Sequence, residues 1–152
     1  MVAKVSAGLL MYRFKDNELQ VFLVHPGGPF WAKKDAGVWS IPKGLIENEN
    51  DDLLETAKRE FLEETGIVIA SGAKQSSFVD LGFITYKNGK QVYAWAFEQD
   101  LPENFVLKSN PTPQGWPETD RGQFFNLEVA KTKILAAQTE LLSRLSTILK
   151  SP

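Results

Sequence analysis

The sequence predicts an α/β domain in which a mixed β-sheet is sandwiched between helices, and three observations lead there. Two pairs of apolar, β-branched-rich segments each flank a short polar break, one amphipathic helical segment lies between the pairs, and a second helical pattern closes the chain. With 152 residues, 43% of them hydrophobic, the chain can bury one core, and one domain over residues 1–152 is expected.

The elements follow in order. "VSAGLLMYRF" and "LQVFLVHPG" surround "KDNE" and predict two strands joined by a tight turn. "PGGPFWAKKDAG", residues 26–37, holds too much glycine and proline for regular structure and suits a loop over a site. "VWSIPKG", residues 38–44, predicts a short strand running into a turn. From Asp51 to Thr65 the pattern is helical, with Asn50 or Asp51 as the cap and Gly66 as the stop. "SFVDLGFITY" and "QVYAWAFEQ" surround "KNGK", whose Asn88-Gly89 pair predicts a type I′ hairpin turn. Leu101 to Arg121 reads as an ordered surface loop. A closing helix is expected from Glu128 to about Leu149, with Ile134, Leu141, Leu145 and Leu149 at helical spacing.

Composition excludes several classes. A charged fraction of 24% and a formal net charge of -2 describe neither a polycation nor an acidic tail, so no nucleic acid polymer is expected as a partner. Cysteine is absent and His25 is the single histidine, which removes thiolate sites, cysteine nucleophiles and multi-histidine zinc sites. Arg13 interrupts the N-terminal apolar run too early for a membrane span, and no cleavage signal stands out. The expectation is a soluble, unprocessed, cytoplasmic monomer or homodimer.

The stretch "AKREFLEETGI", Ala57 to Ile67, departs from ordinary helix patterning. At 100° per residue Leu53, Leu54, Ala57 and Phe61 form the core stripe, and Glu60, Glu63 and Glu64 crowd an arc of roughly 100° beside it. Glu60 and Glu64 repel at i,i+4 spacing, by roughly 0.2–0.5 kcal/mol, and acids near a helix C-terminus oppose its dipole. Lys58 and Arg59 offset part of this. Clustered carboxylate oxygens without histidine or cysteine are what a hard cation such as Mg²⁺ prefers, with phosphate oxygens completing its shell.

Upstream, "IPKGLIENENDD" places a turn at Pro42 and Gly44 and a cation at Lys43 before the acidic helix. Together these residues resemble the signature of the Nudix hydrolases. "REFLEETGI", Arg59 to Ile67, matches the second part of that signature at every defined position. The first part is displaced: counting back from Arg59 puts the motif glycine at Leu45 and its first glutamate at Asp51, so one extra residue separates Gly44 from the helix. The resemblance implies the Nudix fold, with strands before the box, a strand pair after it and a closing helix.

What the resemblance implies for function is specific. Nudix enzymes hydrolyse nucleoside diphosphates linked to another group. Glu60, Glu63 and Glu64, with the Gly44 carbonyl, would hold Mg²⁺, Mn²⁺ being the alternative, while Arg59 would orient a glutamate and Lys43 would touch phosphate. Either Glu60 or Glu118, from the late loop "GWPETDRGQFF", would serve as general base. Trp31, Tyr86 and Trp116 are candidates to stack on a nucleobase. Trp39 and Trp95 fall in segments of alternating character and are assigned to the core, and His25 to a hydrogen-bonded structural position.

The block "SIPKG" with "ENENDDLLETAKREFLEETGI", followed by the late "WPETDRGQFFNLEVA", looks closest to the dinucleoside tetraphosphate hydrolases and related bacterial nucleoside triphosphate pyrophosphohydrolases. A dinucleoside polyphosphate such as diadenosine tetraphosphate is therefore the expected substrate. The alternatives are a MutT-type pyrophosphohydrolase of oxidised nucleoside triphosphates and a non-catalytic nucleotide-sensing module.

Overall fold

The computed structural model describes residues 4–70 and 77–150. Strands β1 (Val5–Lys15) and β2 (Glu18–Pro26) pair antiparallel from Tyr12↔Val21 to Lys15↔Glu18. The residues between them, Asp16 and Asn17, have φ of 53° and 64°. Two consecutive left-handed residues of the types that best tolerate it make the tight turn expected there.

The remaining strands are β3 (Lys43–Leu45), β4 (Val79–Thr85), β5 (Gln91–Glu98) and β6 (Thr119–Asn126). Their order is β4-β5-β1-β2-β6, with β3 added to β1. β1 runs parallel to β5 and antiparallel to β2 and β3. Its start pairs with β3, where Ala7 faces Gly44, and its end pairs with β2. The sheet is therefore mixed, as expected.

Side chains alternate along each strand and feed two cores. Ala7, Leu9 and Met11 join Phe22 and Val24 against Leu54, Ala57 and Phe61 of helix α1 (Leu53–Thr65). On the other face Leu10, Tyr12, Val21 and Leu23 meet Ala130 of α2 (Leu127–Lys133) and Leu141, Leu142 and Leu145 of α3 (Thr139–Lys150). Helices cover both faces, which is the predicted α/β/α layering. No helix among the described residues is long and apolar enough to cross a membrane.

Several local expectations are corrected. Of residues 38–44 only Lys43 and Gly44 lie in a strand; Trp39 and Ser40 form isolated bridges to Ile134 and Val24, because the buried Trp39 is drawn between β2 and α2. In the second hairpin only Gly89 has a positive φ, 90°. That turn spans five residues, closed by Tyr86 N–H on the Lys90 carbonyl at 2.7 Å, and the Asn88 side chain accepts from Lys90 N–H at 3.0 Å. The expected loop from Leu101 ends early, since β6 begins at Thr119.

The closing helix is not continuous. Ile134 is extended (φ -75°, ψ 149°) and a 3-10 turn, Ala136–Gln138, separates α2 from α3. The break comes from docking: Trp39 N–H bonds the Lys133 carbonyl at 3.0 Å and Leu135 N–H bonds the Trp39 carbonyl at 2.8 Å. Ile134 and Gln138 are buried as a result.

Candidate active site

The cap of α1 is Asp52, whose carboxylate accepts from Glu55 N–H at 3.0 Å, rather than Asn50 or Asp51. Asp51 instead accepts from the amides of Glu47 and Asn48, both at 3.0 Å, and these bonds lower its pKa. The residue at the motif's first acid thus knots the turn ahead of the helix. That turn spans the stretch between β3 and α1, and Gly44 lies against Glu60 of the helix. A Cβ on Gly44 would fall on the Glu60 carboxyl group, so a larger residue there would displace that carboxylate.

Glu64 is the buried member of the trio. It accepts from Lys43 N–H at 2.5 Å and is 8% exposed. Burial pushes its carboxyl up to about 8, opposed by the Lys43 amide and ammonium and reinforced by Glu118 and Glu60. Glu60 is also raised, first by burial and then by Glu63, with Arg59 opposing and Glu118 adding to the rise. Glu63 lies further out, where Arg59 Nη1 reaches its two oxygens at 3.3 and 3.4 Å and Glu60 at 3.2 Å. Lys43, Arg59, Glu60, Glu63 and Glu64 are therefore gathered by β3 and α1 alone.

Glu118 arrives from a distant part of the chain. A helix leaves its last carbonyls without intrahelical partners, and those of α1 are taken up in turn. Gly66, at φ 73°, donates to Leu62, Asn110 N–H to Glu63 at 3.0 Å, Thr119 Oγ1 to Glu64 at 2.7 Å and Lys108 N–H to Thr65 at 3.0 Å. Glu118 N–H in turn donates to Asn110 at 2.9 Å. The segment 108–119 is thereby stitched along the C-terminus of α1, which puts Glu118 within electrostatic reach of Glu60 and Glu64. Sequence reasoning singled out Glu118 but missed Asn110 and Thr119, whose work is done by a backbone amide and a hydroxyl with no motif to announce them.

The aromatic candidates divide. Phe30 and Trp31 meet edge to face at 4.7 Å, and Lys34 Nζ sits 3.8 Å above the Phe30 ring. Trp116 packs beside Gly28 of the same loop, and Gly27 N–H bonds the Glu118 carbonyl at 3.0 Å. Phe30 is 66% and Trp116 50% exposed, so open aromatic surface lies on the loops that adjoin Glu118. Tyr86 is not brought there: it packs with the core under α3, and its hydroxyl accepts from Gln138 Nε2 at 2.9 Å, on the sheet face opposite α1. Trp39 is buried as expected, Trp95 is half-buried against the α1-side core, and His25 is fully buried and hydrogen-bonded.

The donor set suits a hard divalent cation. Its atoms are oxygens, and the pKa values of Glu60 and Glu64 are raised first by burial and further by the neighbouring carboxylates. Among the described residues no three acidic or imidazole side chains already enclose a common point. Glu63, held outward by Arg59, is the one most displaced from its neighbours.

A mixed sheet between helices, with a glycine strand delivered onto a carboxylate helix, defines the class of domain to which the chain belongs. The NUDIX domain family model matches residues 3–145, and the chain belongs to the Nudix family, whose members generally use divalent metal ions such as Mg²⁺. Among relatives, it is 33% identical over 88 residues to an uncharacterized 17.7 kDa protein of Enterobacteria phage T4, a match covering 58% of this chain and 54% of that one. It is 28% identical over 108 residues to an RNA pyrophosphohydrolase of Bartonella henselae, covering 64% and 62%. The chain thus spans less than two thirds of the length of these curated relatives. Its fold is similar to that of a C. elegans Ap4A hydrolase, with a TM-score of 0.68 at 24% identity over 97% of this chain and 98% of that one.

Proposed function

We propose that this chain is a Mg²⁺-dependent hydrolase, cytoplasmic, that cleaves a phosphoanhydride bond of a dinucleoside polyphosphate such as diadenosine tetraphosphate. The observation that carries the hydrolytic reading is Glu64, buried beside Glu60 and Glu118, with Lys43 as the cation that adjoins it. Glu60, Glu63, Glu64 and the Gly44 carbonyl would hold the ion, for which Mn²⁺ would substitute. When bound, the ion offsets phosphate charge and lowers the pKa of a coordinated water. Arg59 holds Glu63 in place until then and orients it afterwards, and Lys43 meets a phosphate oxygen.

In the reaction a water oxygen bonds to phosphorus as a bridging P–O bond breaks, and the leaving phosphate departs with the bond's electron pair. The water proton passes to a carboxylate; Glu118 fits this role better than Glu60, since Glu60 is pressed against Gly44. The exposed Phe30, set edge to face on the half-buried Trp31, and the exposed Trp116, on adjoining loops, favour a substrate with two bases to hold.

Release of ATP and AMP from diadenosine tetraphosphate in Mg²⁺, followed by chromatography, is the expected result, with Glu64→Gln abolishing it. Pyrophosphate and a monophosphate from an oxidised nucleoside triphosphate would replace this substrate by the MutT type. Binding without cleavage of any nucleotide in a panel would overturn the hydrolytic reading in favour of a sensing module.

A further inference from the structure

The pairing of β2 with β6 contains one irregularity. His25 pairs with Arg121 and Pro26 with Thr119, so Asp120 has no partner across the ladder. It is the extra residue of a β-bulge, a feature that bends a strand and re-aims its side chains. Its carboxylate turns to His25, with Oδ1 hydrogen-bonded to Nδ1 at 2.8 Å. The opposite ring nitrogen, Nε2, donates to the Lys34 carbonyl at 2.6 Å.

His25 is fully buried, and Trp39 meets its ring edge to face at 5.2 Å. Trp39 is itself anchored through Nε1 on Asp35 at 2.8 Å, and Asp35 is paired with Lys133 of α2. The imidazole is thus fixed from behind and offers two bonds forward, one to the loop bearing Phe30 and Trp31, the other to the strand that follows Glu118.

Register gives that second bond its consequence. Side chains alternate along a strand, so a slip of one residue turns each to the opposite face. With Asp120 drawn out of the ladder, Thr119 keeps its hydroxyl on the Glu64 carbonyl and Glu118 keeps its carbonyl on Gly27 N–H. If Asp120 entered the ladder, Glu118 would leave the Glu60–Glu64 side.

We propose that His25 is a positioning residue: by holding Asp120 in the bulge it sets Glu118 towards Glu60 and Glu64, and through the Lys34 carbonyl it fixes the Phe30–Trp31 loop to the same anchor. This rests on the assignment of Glu118 made above. The two bonds separate by variant. Asp120→Ala breaks only the bond to the strand, Asp120→Asn keeps a partner for Nδ1, and His25→Phe keeps the packing on Trp39 while losing both bonds.

In Mg²⁺ with diadenosine tetraphosphate, D120A is expected to lower kcat about tenfold with KM within twofold, D120N to stay within threefold of wild type in both, and H25F to lower kcat and raise KM together. In an E118Q background D120A is expected to cost nothing further. Hydrogen exchange at Gly27 N–H, slow in wild type and D120N and at least tenfold faster in D120A, reads the same device without turnover. Unchanged kcat and unchanged Gly27 exchange in D120A would overturn the proposal, as would a D120A loss that multiplies with E118Q. Wild-type kcat in E118Q alone would remove the base assignment instead, while accelerated Gly27 exchange in D120A would still uphold the bulge as held by His25.

Discussion

Two polar side chains are buried on opposite faces of one sheet, and they are treated in opposite ways. Under α3, Gln138 is fully buried and satisfied: Oε1 accepts from Ile41 N–H at 3.0 Å, and Nε2 donates to Ser40 Oγ and Tyr86 Oη, both at 2.9 Å. Under α1, the Glu64 carboxylate accepts from Lys43 N–H, and two like charges, Glu118 and Glu60, lie near it. A neutral group with its bonds made fixes a packing; a carboxylate short of bonds and crowded by others destabilises the fold unless something positive arrives. One face is closed for stability, and the other is left open for chemistry.

Predictions that break this contrast can be ranked by size. Glu64→Gln is expected to lower kcat by roughly 10⁴-fold, the upper end for loss of a group acting on the reacting centre, measured as nucleotide release in Mg²⁺. The second concerns the metal-free protein in chelator. Because the Glu64 pKa is raised from 4.5 to about 8, the folded state binds more protons than the unfolded one between those values. Its contribution is fully present below about 4.5 and lost as pH rises through about 8, a loss of about 5 kcal/mol at 1.36 kcal/mol per unit. Denaturant midpoints in chelator should fall over that window, and the fall should vanish in Glu64→Gln and shrink in saturating Mg²⁺.

On the closed face, Gln138→Ala leaves the Ile41 amide buried without its acceptor and is expected to cost about 2–3 kcal/mol of stability with kcat within threefold, read by denaturant melts and assay together. A large kcat loss there would dissolve the division between the faces. The smallest effect belongs to the end of α1 that carries no chemistry. Asp52→Ala removes the acceptor of Glu55 N–H and should cost about 1 kcal/mol with activity unchanged.

How much of this the sequence disclosed follows the range of the forces involved. The strands of both hairpins and α1 could be read because alternation, helical period and a terminal glycine act between near neighbours, and the crowding of Glu60, Glu63 and Glu64 was visible as a breach of that period. The break at Ile134 could not be read, since no glycine or proline marks it and its cause is Trp39, nearly a hundred positions away. Asn88-Gly89 carried the commoner turn signature, yet Asp16-Asn17 took the paired left-handed conformation, because register from the flanking strands decides how many residues a turn keeps. Tyr86 was misplaced for a similar reason: its position after β4 was legible, but not its distant partner Gln138.

The stitching of segment 108–119 to α1 also bears on how such a site changes over generations. Of the residues across that seam, Lys108 and Asn110 contribute main-chain amides, which any amino acid but proline supplies, and only Thr119 spends a side chain. Residues 111–117, which lie between these anchors and include Trp116, can therefore be exchanged with the helix left undisturbed. Such a seam lets the surface around the carboxylate helix vary while the helix keeps its last carbonyls bonded.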